Sequence, residues 1–387
     1  MVLTDLQTET RSTTRGGPEA TAGRSTAGYL TGFDHLEMWV GNARAVSQML
    51  QSGFGFKCVA YRGPETGSHD RVSYLVEQGA IRILVTAGLE PWSPVCEHVL
   101  RHGDGVKTVA FATNDVDAAF CAALDRGAPA VSEPVTLEDG CGAVRAATIA
   151  TYGDTHHQLV DRSGYTGVFA PGFTAEGLPV YDLGRSAELE GIDHVVGNVE
   201  EGRLDEWVEW YERVLGFAQM KHFDADQIST EYSALRSTVV WNGGPVCMPI
   251  NEPAKGKRKS QIQEYLESYG GPGVQHVAMA TSDIVRSVSE LRRRGVRFLV
   301  PPSTYYEDAR SRVGDLDIPW ADLERLGILV DADGGGYLLQ VFTENLSDRP
   351  TLFAEIIQRE GATGFGEGNF KALFEAIERE QAKRGNL

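Results

Sequence analysis

The sequence predicts an α+β fold in which one module occurs twice in tandem. Residues 102–116 read HGDGVKTVAFATNDV and residues 270–284 read GGPGVQHVAMATSDI, and the two segments align without a gap. A second pair repeats as well, because Phe33-Asp34-His35 resembles Ile192-Asp193-His194. A duplicated segment in which only one copy keeps the chemically active side chains is typical of one catalytic half joined to one structural half.

Each copy predicts the same order of elements, because short apolar runs alternate with helical patterns and turn residues. The first copy predicts strands at Phe33–Val40, Arg71–Glu77, Ile81–Thr86 and Val106–Ala112, with helices at Ala43–Ser52 and Val116–Arg126. The second copy predicts strands at Ile192–Asn198, Glu231–Val240, Pro245–Ile250 and Val274–Ala280, with helices at Leu204–Val214 and Ile284–Arg294.

Helix signals support these assignments. Residues 284, 285, 288 and 291 form an apolar stripe, Asp283 precedes it as an N-cap, and Gly295 follows its last turn. A final amphipathic helix is predicted at Asn369–Lys383. The β-α-β-β-β order in tandem resembles vicinal-oxygen-chelate (glyoxalase/bleomycin-resistance-like) modules, in which curled mixed β-sheets surround a metal pocket.

The domain organisation follows from this repeat. Residues 1–28 are rich in Thr, Gly and Ser and predict a disordered N-terminal tail. We expect a non-catalytic domain at residues 29–170, a linker at 171–190 that is rich in Gly, Pro and charge, and a catalytic domain at 191–387 with a closing C-terminal helix.

Composition excludes several partner classes. The net charge of −18 disfavours nucleic acid and anionic membranes. Five cysteines without a CxxC pair indicate reduced thiols in a cytoplasm, and no apolar run is long enough for a transmembrane helix. We expect a cytoplasmic homo-oligomer (dimer or tetramer) whose partners are small molecules.

Three residues of the second copy predict a metal site. His194 and His276 each lie inside a short apolar strand at equivalent places in the repeat, and Glu355 lies inside the apolar run Phe353–Ile357. A buried carboxylate needs a cation or a hydrogen-bonded partner. Each histidine alone is better explained as a core residue, but two histidines and one carboxylate together favour non-haem Fe(II) over zinc.

The first copy lacks this ligand set. His35 matches His194, but Thr108 stands where His276 stands, and residues 163–173, which we align with the Glu355 strand, contain no Asp or Glu. We predict that the adjacent His156 and His157 are a surface or loop feature. The remaining histidines, which lie in polar or turn contexts, are predicted to have no partner at ligand spacing: His69, His98, His102 and His222.

Several motifs in the second half resemble the family of 4-hydroxyphenylpyruvate dioxygenase and hydroxymandelate synthase. They are Ser260-Gln261-Ile262, Gly273-Val274-Gln275-His276, Gly336–Phe342, Asp348–Arg359 and Gly364–Phe370. The resemblance runs from about residue 30 to the end and is dense from residue 190 onward.

The resemblance implies one Fe(II) per chain, held by His194, His276 and Glu355, and a substrate that supplies its own 2-oxo acid to the metal. It implies an oxidoreductase that takes 4-hydroxyphenylpyruvate and O2 to homogentisate and CO2 in tyrosine catabolism. The implied catalytic residues are Ser237, Asn251, Gln261 and Gln275. The implied substrate-binding residues are Pro249, Gln340, Phe342, Phe353, Phe365, Asn369 and Phe370.

Three alternatives remain open. A hydroxymandelate synthase has the same substrate, iron and ligands, and the polar Asn251 favours the dioxygenase over it. A non-enzymatic aromatic-ligand-binding protein on this fold would lack the complete ligand set, and an extradiol ring-cleaving enzyme would need a different pocket. Glu367 stands where the family commonly has Lys, and we expect this to affect only the surface or the gate.

Overall fold

The computed structural model describes residues 25–386 except 182–183, 185, 225–231, 233 and 303. Two eight-stranded sheets dominate it. The strands of the first are β1 Leu30–Trp39, β2 Lys57–Arg62, β3 Arg71–Gln78, β4 Ile81–Gly88, β5 Gly105–Thr113, β6 Ala130–Asp139, β7 Gly142–Ala150 and β8 His156–Asp161. The strands of the second are β9 Gly191–Asn198, β10 Ala218–Phe223, β11 Ala234–Trp241, β12 Cys247–Ala254, β13 Gly273–Ala280, β14 Leu329–Asp333, β15 Gly336–Phe342 and β16 Phe353–Glu360.

The two sheets have the same topology. The strand orders are β2-β3-β4-β1-β5-β8-β7-β6 and β10-β11-β12-β9-β13-β16-β15-β14. In each sheet two β-α-β-β-β units meet through one antiparallel pair at the centre, β1 with β5 and β9 with β13. The predicted α+β fold of tandem modules is therefore confirmed.

Nine α-helices cover these sheets within the described part of the chain. They are α1 Ala43–Met49, α2 Pro94–His102, α3 Val116–Asp125, α4 Leu204–Trp210, α5 Gln261–Tyr269, α6 Ile284–Arg293, α7 Tyr305–Val313, α8 Trp320–Leu326 and α9 Phe370–Arg384. The sequence did not predict α7 and α8, which are inserted before β14. No helix among the described residues is both long and apolar enough to cross a membrane.

A glycine ends the first helix of each half. α1 and α4 both continue as a π-helical turn, at Leu50–Phe54 and Tyr211–Leu215. Gly55 and Gly216 then adopt φ of 78° and 71°, a left-handed conformation that a side chain disfavours. These turns return each chain segment to the next strand.

The predicted tail is too long at its C-terminal end. Residues 26–29 form a 3₁₀ helix in which Thr26 is buried and its Oγ1 donates to the Val214 carbonyl at 3.0 Å. Apolar contacts therefore order this part of the segment predicted to be disordered, and residues 1–24 lie outside the described residues. In the expected linker, Ala187 and Leu189 are fully buried.

The adjacent histidines are not a surface feature, contrary to the sequence prediction. Both lie in β8, and His157 is fully buried between the halves, where its Nε2 accepts from the Tyr211 hydroxyl at 2.7 Å. Its Nδ1 faces the Val109 carbonyl at 3.3 Å. Burial lowers the pKa of His157 to about 3 and that of His156 to about 4. The prediction was based on the opposite directions of adjacent strand side chains, which cannot both bind one metal, but the structure buries His157 all the same.

We predict that His157 contributes to acid sensitivity. A histidine that is neutral when folded but has a pKa of about 6.5 when unfolded costs stability as the pH falls below about 6.5, down to its folded pKa of about 3. Above pH 6.5 His157 does not contribute to the pH dependence of the free energy of unfolding. Between pH 8 and pH 5 the free energy of unfolding should therefore fall by about 2 kcal/mol less in His157→Gln than in the wild type. Urea-unfolding midpoints at both pH values measure this, and parallel losses in variant and wild type would contradict it.

Candidate active site

The central strands of the second sheet bring the three candidate metal ligands together. β13 pairs with β9 on one side and with β16 on the other. Ala278 of β13 is the partner of His194 on β9 and of Glu355 on β16. His276 lies two residues before Ala278 on the same face of β13. Strand register therefore converges residues from three distant parts of the chain.

The distances fit one shared ion. Glu355 Oε2 lies 3.4 Å from His194 Nε2 and 3.4 Å from His276 Nε2. Such separations are too long for good hydrogen bonds. Two donor atoms about 2.1 Å from one ion and roughly 90–110° apart lie about 3.0–3.4 Å from each other. Two imidazoles and a carboxylate at this spacing suit a six-coordinate Fe(II) that keeps positions open for ligands.

A β-bulge supplies His194 with its hydrogen-bond partner. The register of β9 shifts between Ile192 and His194, so Asp193 is the extra residue and turns toward its neighbour. Its carboxylate accepts from His194 Nδ1 at 2.6 Å, so Nε2 is the nitrogen that faces the site and could bind a metal there. A second bulge on β13 does the same for His276, whose Nδ1 lies 3.0 Å from Gln275 Oε1.

Opposing effects set the charges at the site. Burial by itself raises the pKa of Glu355, but the two facing imidazoles outweigh it and hold this pKa below its usual value. Burial by itself lowers the pKa of His194, but Glu355 and Asp193 raise it to about 9. Burial lowers the pKa of His276. Without a metal the site therefore pairs an ionised carboxylate with a protonated His194, and a bound cation would take the place of that proton.

The predicted pocket residues surround one cavity above these ligands. Those that line it are Ser237, Pro249, Asn251, Gln261, Gln275, Gln340, Phe342, Phe353, Phe365 and Phe370. Asn369 does not line the cavity. It is fully buried behind it, where its Nδ2 donates to Gln340 Oε1 at 3.2 Å and its Oδ1 accepts from the Tyr305 hydroxyl at 2.6 Å. Its place is therefore to orient Gln340.

Sequence reasoning missed the apolar part of the lining. These residues are Val196, Phe223, Leu235, Val239, Leu373 and Phe374. Each reads as an ordinary core residue, and only the amphipathic stripe of α9, which contains Leu373 and Phe374, gave a signal that could have found them. They add apolar surface to the lining of the cavity.

Aromatic rings hold the metal ligands from the cavity side. Phe353 stacks on His276, with ring centroids 4.7 Å apart and planes 20° apart. Phe365 meets His194 edge-on at 5.3 Å. The rings restrict both imidazoles while leaving the centre of the cavity open.

Polar side chains mark the end of the cavity away from the metal ligands. β9 presents His194, Val196 and Asn198 on one face in that order. Asn251 Nδ2 lies 3.5 Å from Asn198 Oδ1, and Ser237 is the direct partner of Asn251 across β11 and β12. The cavity therefore runs from a charged end through an apolar middle to an amide and hydroxyl end.

Glu367 lies in the turn before α9 and forms an ion pair with Lys221 of β10. Glu367 is absent from the cavity lining. Glu367 therefore lies beside the start of α9 and outside the cavity, at the surface or gate where its difference from the family's Lys was expected to act.

The first half keeps the scaffold of this site without its ligands. β5 pairs with β8 so that Thr108 faces His156, as His276 faces Phe353. Gln158 therefore occupies the position of Glu355, and the alignment of residues 163–173 with that strand was wrong. The register and its bulges, which the sequence does not show, fix this equivalence.

Two histidines predicted to lack partners belong to a cluster between the halves. His98 and His102 lie on α2, and a ring nitrogen of each lies within 4.8 Å of an Asp154 carboxylate oxygen. His102 Nε2 lies 2.8 Å from Asp154 Oδ2, and its Nδ1 lies 2.7 Å from the Tyr269 carbonyl. Both ring nitrogens of His102 are thus occupied, and Arg101 already pairs with Asp154 at 3.2 Å. The cluster acts as a polar clamp between α2 and α5.

Family models match both halves. Residues 26–182 match the model described as hydroxyphenylpyruvate dioxygenase, N-terminal, and residues 191–341 match that of the glyoxalase/bleomycin resistance protein/dioxygenase superfamily.

Whole-chain relatives agree with these matches. A 4-hydroxyphenylpyruvate dioxygenase of Aspergillus fumigatus is 48% identical over 92% of this chain and 94% of its own. One from Xenopus tropicalis is 47% identical over 93% of this chain and 94% of its own. The solved structure of a triple mutant of 4-hydroxymandelate synthase from Streptomyces coelicolor is 35% identical, with a TM-score of 0.81, over 91% of this chain and 99% of that one.

We predict that metal binding depends on the second half alone. Glu355→Ala and His276→Ala should each lose most of the bound iron, because two ligands cannot replace three. Thr108→Ala, at the position equivalent to His276, is the matched control and should keep one iron per chain. Metal analysis after reconstitution measures this, and stoichiometric iron in Glu355→Ala and His276→Ala would rule out the site.

Proposed function

The chain belongs to the 4-hydroxyphenylpyruvate dioxygenase family, and we propose that it is an Fe(II)-dependent dioxygenase that converts 4-hydroxyphenylpyruvate and O2 to homogentisate and CO2 in tyrosine catabolism. The observation that carries this proposal is the buried Glu355 facing two imidazole nitrogens at the floor of an aromatic cavity. Identity of 44–48% with six curated relatives of that name supports the reaction.

His194, His276 and Glu355 would hold the iron, which when bound supplies a Lewis acid for the 2-oxo acid and a site for O2. Gln275 keeps His276 in the tautomer with a free Nε2, as Asp193 does for His194. The polar end of the cavity would take the phenol, since Asn251 and Ser237 offer donor and acceptor atoms. The substrate is thereby held with its two ends in chemically different surroundings.

Water must be kept from the reacting end of the substrate. Phe370, Leu373 and Phe374 of α9 lie over the cavity. Arg384 near the end of α9 donates to both carboxylate oxygens of Glu264 on α5, at 3.2 and 2.8 Å. We infer that α9 acts as the cover of the site, held closed at its far end by this ion pair.

Hydroxymandelate synthase is the second candidate function. It fits the same ligands, and its solved variant shares the fold at 35% identity. The polar pair of Asn251 and Ser237 favours ring attack, because a held phenol keeps the ring in one place. A protein that only sequesters aromatic ligands would have no use for the buried carboxylate of Glu355 and the two imidazoles that face it.

We also propose where the enzyme works and with which partners. The charge of −18 and the five free thiols support a cytoplasmic enzyme without nucleic-acid or membrane partners. We propose a homo-oligomer (dimer or tetramer), which sedimentation of the purified chain measures.

Anaerobic reconstitution tests the proposed reaction. The chain is loaded with Fe(II), mixed with 4-hydroxyphenylpyruvate and exposed to air, and the products are separated by chromatography. Homogentisate and CO2 in equal amounts are expected. Hydroxymandelate as the main product would overturn the proposal in favour of the second candidate.

We predict that Asn251→Ile changes the product ratio. The variant loses the hydrogen-bonding atoms, and a lost hydrogen bond costs about 1 kcal/mol or somewhat more. This shifts a partition between two attack positions by roughly five- to tenfold. Homogentisate should fall while hydroxymandelate or hydroxyphenylacetate rises, at unchanged iron content. An unchanged ratio would show that Asn251 does not position the ring.

We predict that removal of α9 uncouples turnover. A chain that ends at Asn369 keeps Phe365 and the bond from Asn369 to Gln340 but loses the cover over the cavity. O2 consumption per homogentisate should rise several-fold because water reaches the reacting end. An oxygen electrode with product analysis measures this. The same ratio as in the full chain, with circular dichroism confirming a folded variant, would refute the cover.

A further inference from the structure

A closed ring of contacts connects a metal ligand to the segment that leads into α9. Asp193, which holds His194, receives two hydrogen bonds from Arg359, from Nε at 2.8 Å and from Nη2 at 2.9 Å. The third guanidinium nitrogen donates to the Gly364 carbonyl at 2.6 Å. The guanidinium also lies 5.4 Å from the centre of the Phe365 ring, and Phe365 contacts His194. The Arg359 side chain therefore contacts both the hydrogen-bond partner of His194 and the segment that leads into α9.

The same ring occurs in the first half, where the two positions equivalent to His276 and Glu355 carry neither a histidine nor a carboxylate. Arg162 donates to both oxygens of Asp34, at 2.8 and 2.6 Å, and Asp34 binds His35 at 2.6 Å. Arg162 also binds the Phe169 carbonyl and lies 4.4 Å from the Phe169 ring, which meets His35 edge-on at 5.2 Å. Since Thr108 and Gln158 replace the other ligands there, this ring serves the fold alone.

We propose that Arg359 is a positioning residue that couples the orientation of His194 to the order of the segment 361–366. The inference rests on the proposed role of His194 as a metal ligand. A bidentate guanidinium fixes the plane of the Asp193 carboxylate, and a fixed carboxylate fixes the imidazole ring. Because the same guanidinium holds Gly364, a bound metal that tightens His194 also tightens the entry to α9.

The local backbone makes this segment dependent on such contacts. Gly361 and Gly366 have φ of 78° and 76°, so both ends of the segment have left-handed backbone. Apart from Arg359, the backbone N–H groups of Thr363 and Gly364 both bind Asp333 Oδ2, at 2.8 and 2.7 Å. Loss of Arg359 would leave the Gly364 carbonyl without this donor and the segment held from one side.

The duplicated ring gives a matched pair of variants for the test. Arg359→Gln and Arg162→Gln remove the same contacts, the first beside the metal site and the second beside its counterpart without ligands. Co(II) serves as a probe that binds without turnover, and its absorption spectrum reports occupancy. Arg359→Gln should bind Co(II) about 10- to 100-fold more weakly than wild type, as loss of an outer partner of a ligand typically does. Arg162→Gln should bind with wild-type affinity, and Arg359→Lys, which keeps the charge, should recover part of the loss.

Hydrogen exchange of residues 361–369 gives the second readout. Co(II) should slow exchange there in wild type and in Arg162→Gln but not in Arg359→Gln. Unchanged Co(II) affinity in Arg359→Gln, or equal weakening in Arg162→Gln, would overturn the inference while leaving the proposed reaction intact. A wild-type chain that binds no Co(II) would overturn the metal site and the inference together.

Discussion

The burial of one ionised carboxylate, that of Glu355, constrains the rest of the second half. A charge in this position costs several kcal/mol unless other charges or an ion compensate it. Two imidazoles face it, and each imidazole is turned by a bulge residue, Asp193 or Gln275, so that its free nitrogen points inward. The curled sheet, the stacked phenylalanines and the covering helix then shape a cavity that has this carboxylate at one end.

The two halves show what a β-α-β-β-β scaffold provides and what it leaves to single residues. Both sheets have one topology, and both keep an Asp–His pair braced by an arginine. In the first half Thr108 and Gln158 replace ligands, and an apolar cluster that includes Leu75, Leu84 and Val160 packs on that side. The same topology therefore forms with and without the three candidate ligands, which are an addition to the scaffold.

The sequence predicted the parts that local pattern encodes. His194, His276 and Glu355 were predicted as ligands because single polar residues inside apolar strands are costly, and the structure brings the three together. The pocket amides were predicted because they lie in recognisable motifs. Prediction from the sequence failed where strand pairing and tertiary contacts decide which residues are neighbours. Gln158 could not be aligned with Glu355 without the pairing of β8, and the cluster of His102 with Asp154 joins residues far apart in the chain.

Other misses have a similar cause. Apolar lining residues such as Val239 and Phe223 do not differ in pattern from core residues, because a cavity wall and a core make the same demand on a side chain. Asn369 was expected in the cavity, yet it lies behind Gln340, because a motif gives a position in the chain and not a direction. Helices α7 and α8 are an insertion with no counterpart in the first copy.

Anomalous X-ray scattering at the iron edge, from crystals of the Fe(II)-loaded chain, would locate the metal itself. One peak per chain is expected, among the Nε2 atoms of His194 and His276 and the carboxylate of Glu355. A peak at His98, His102 and Asp154, a peak beside His35, or no peak between the three proposed ligands would contradict this expectation.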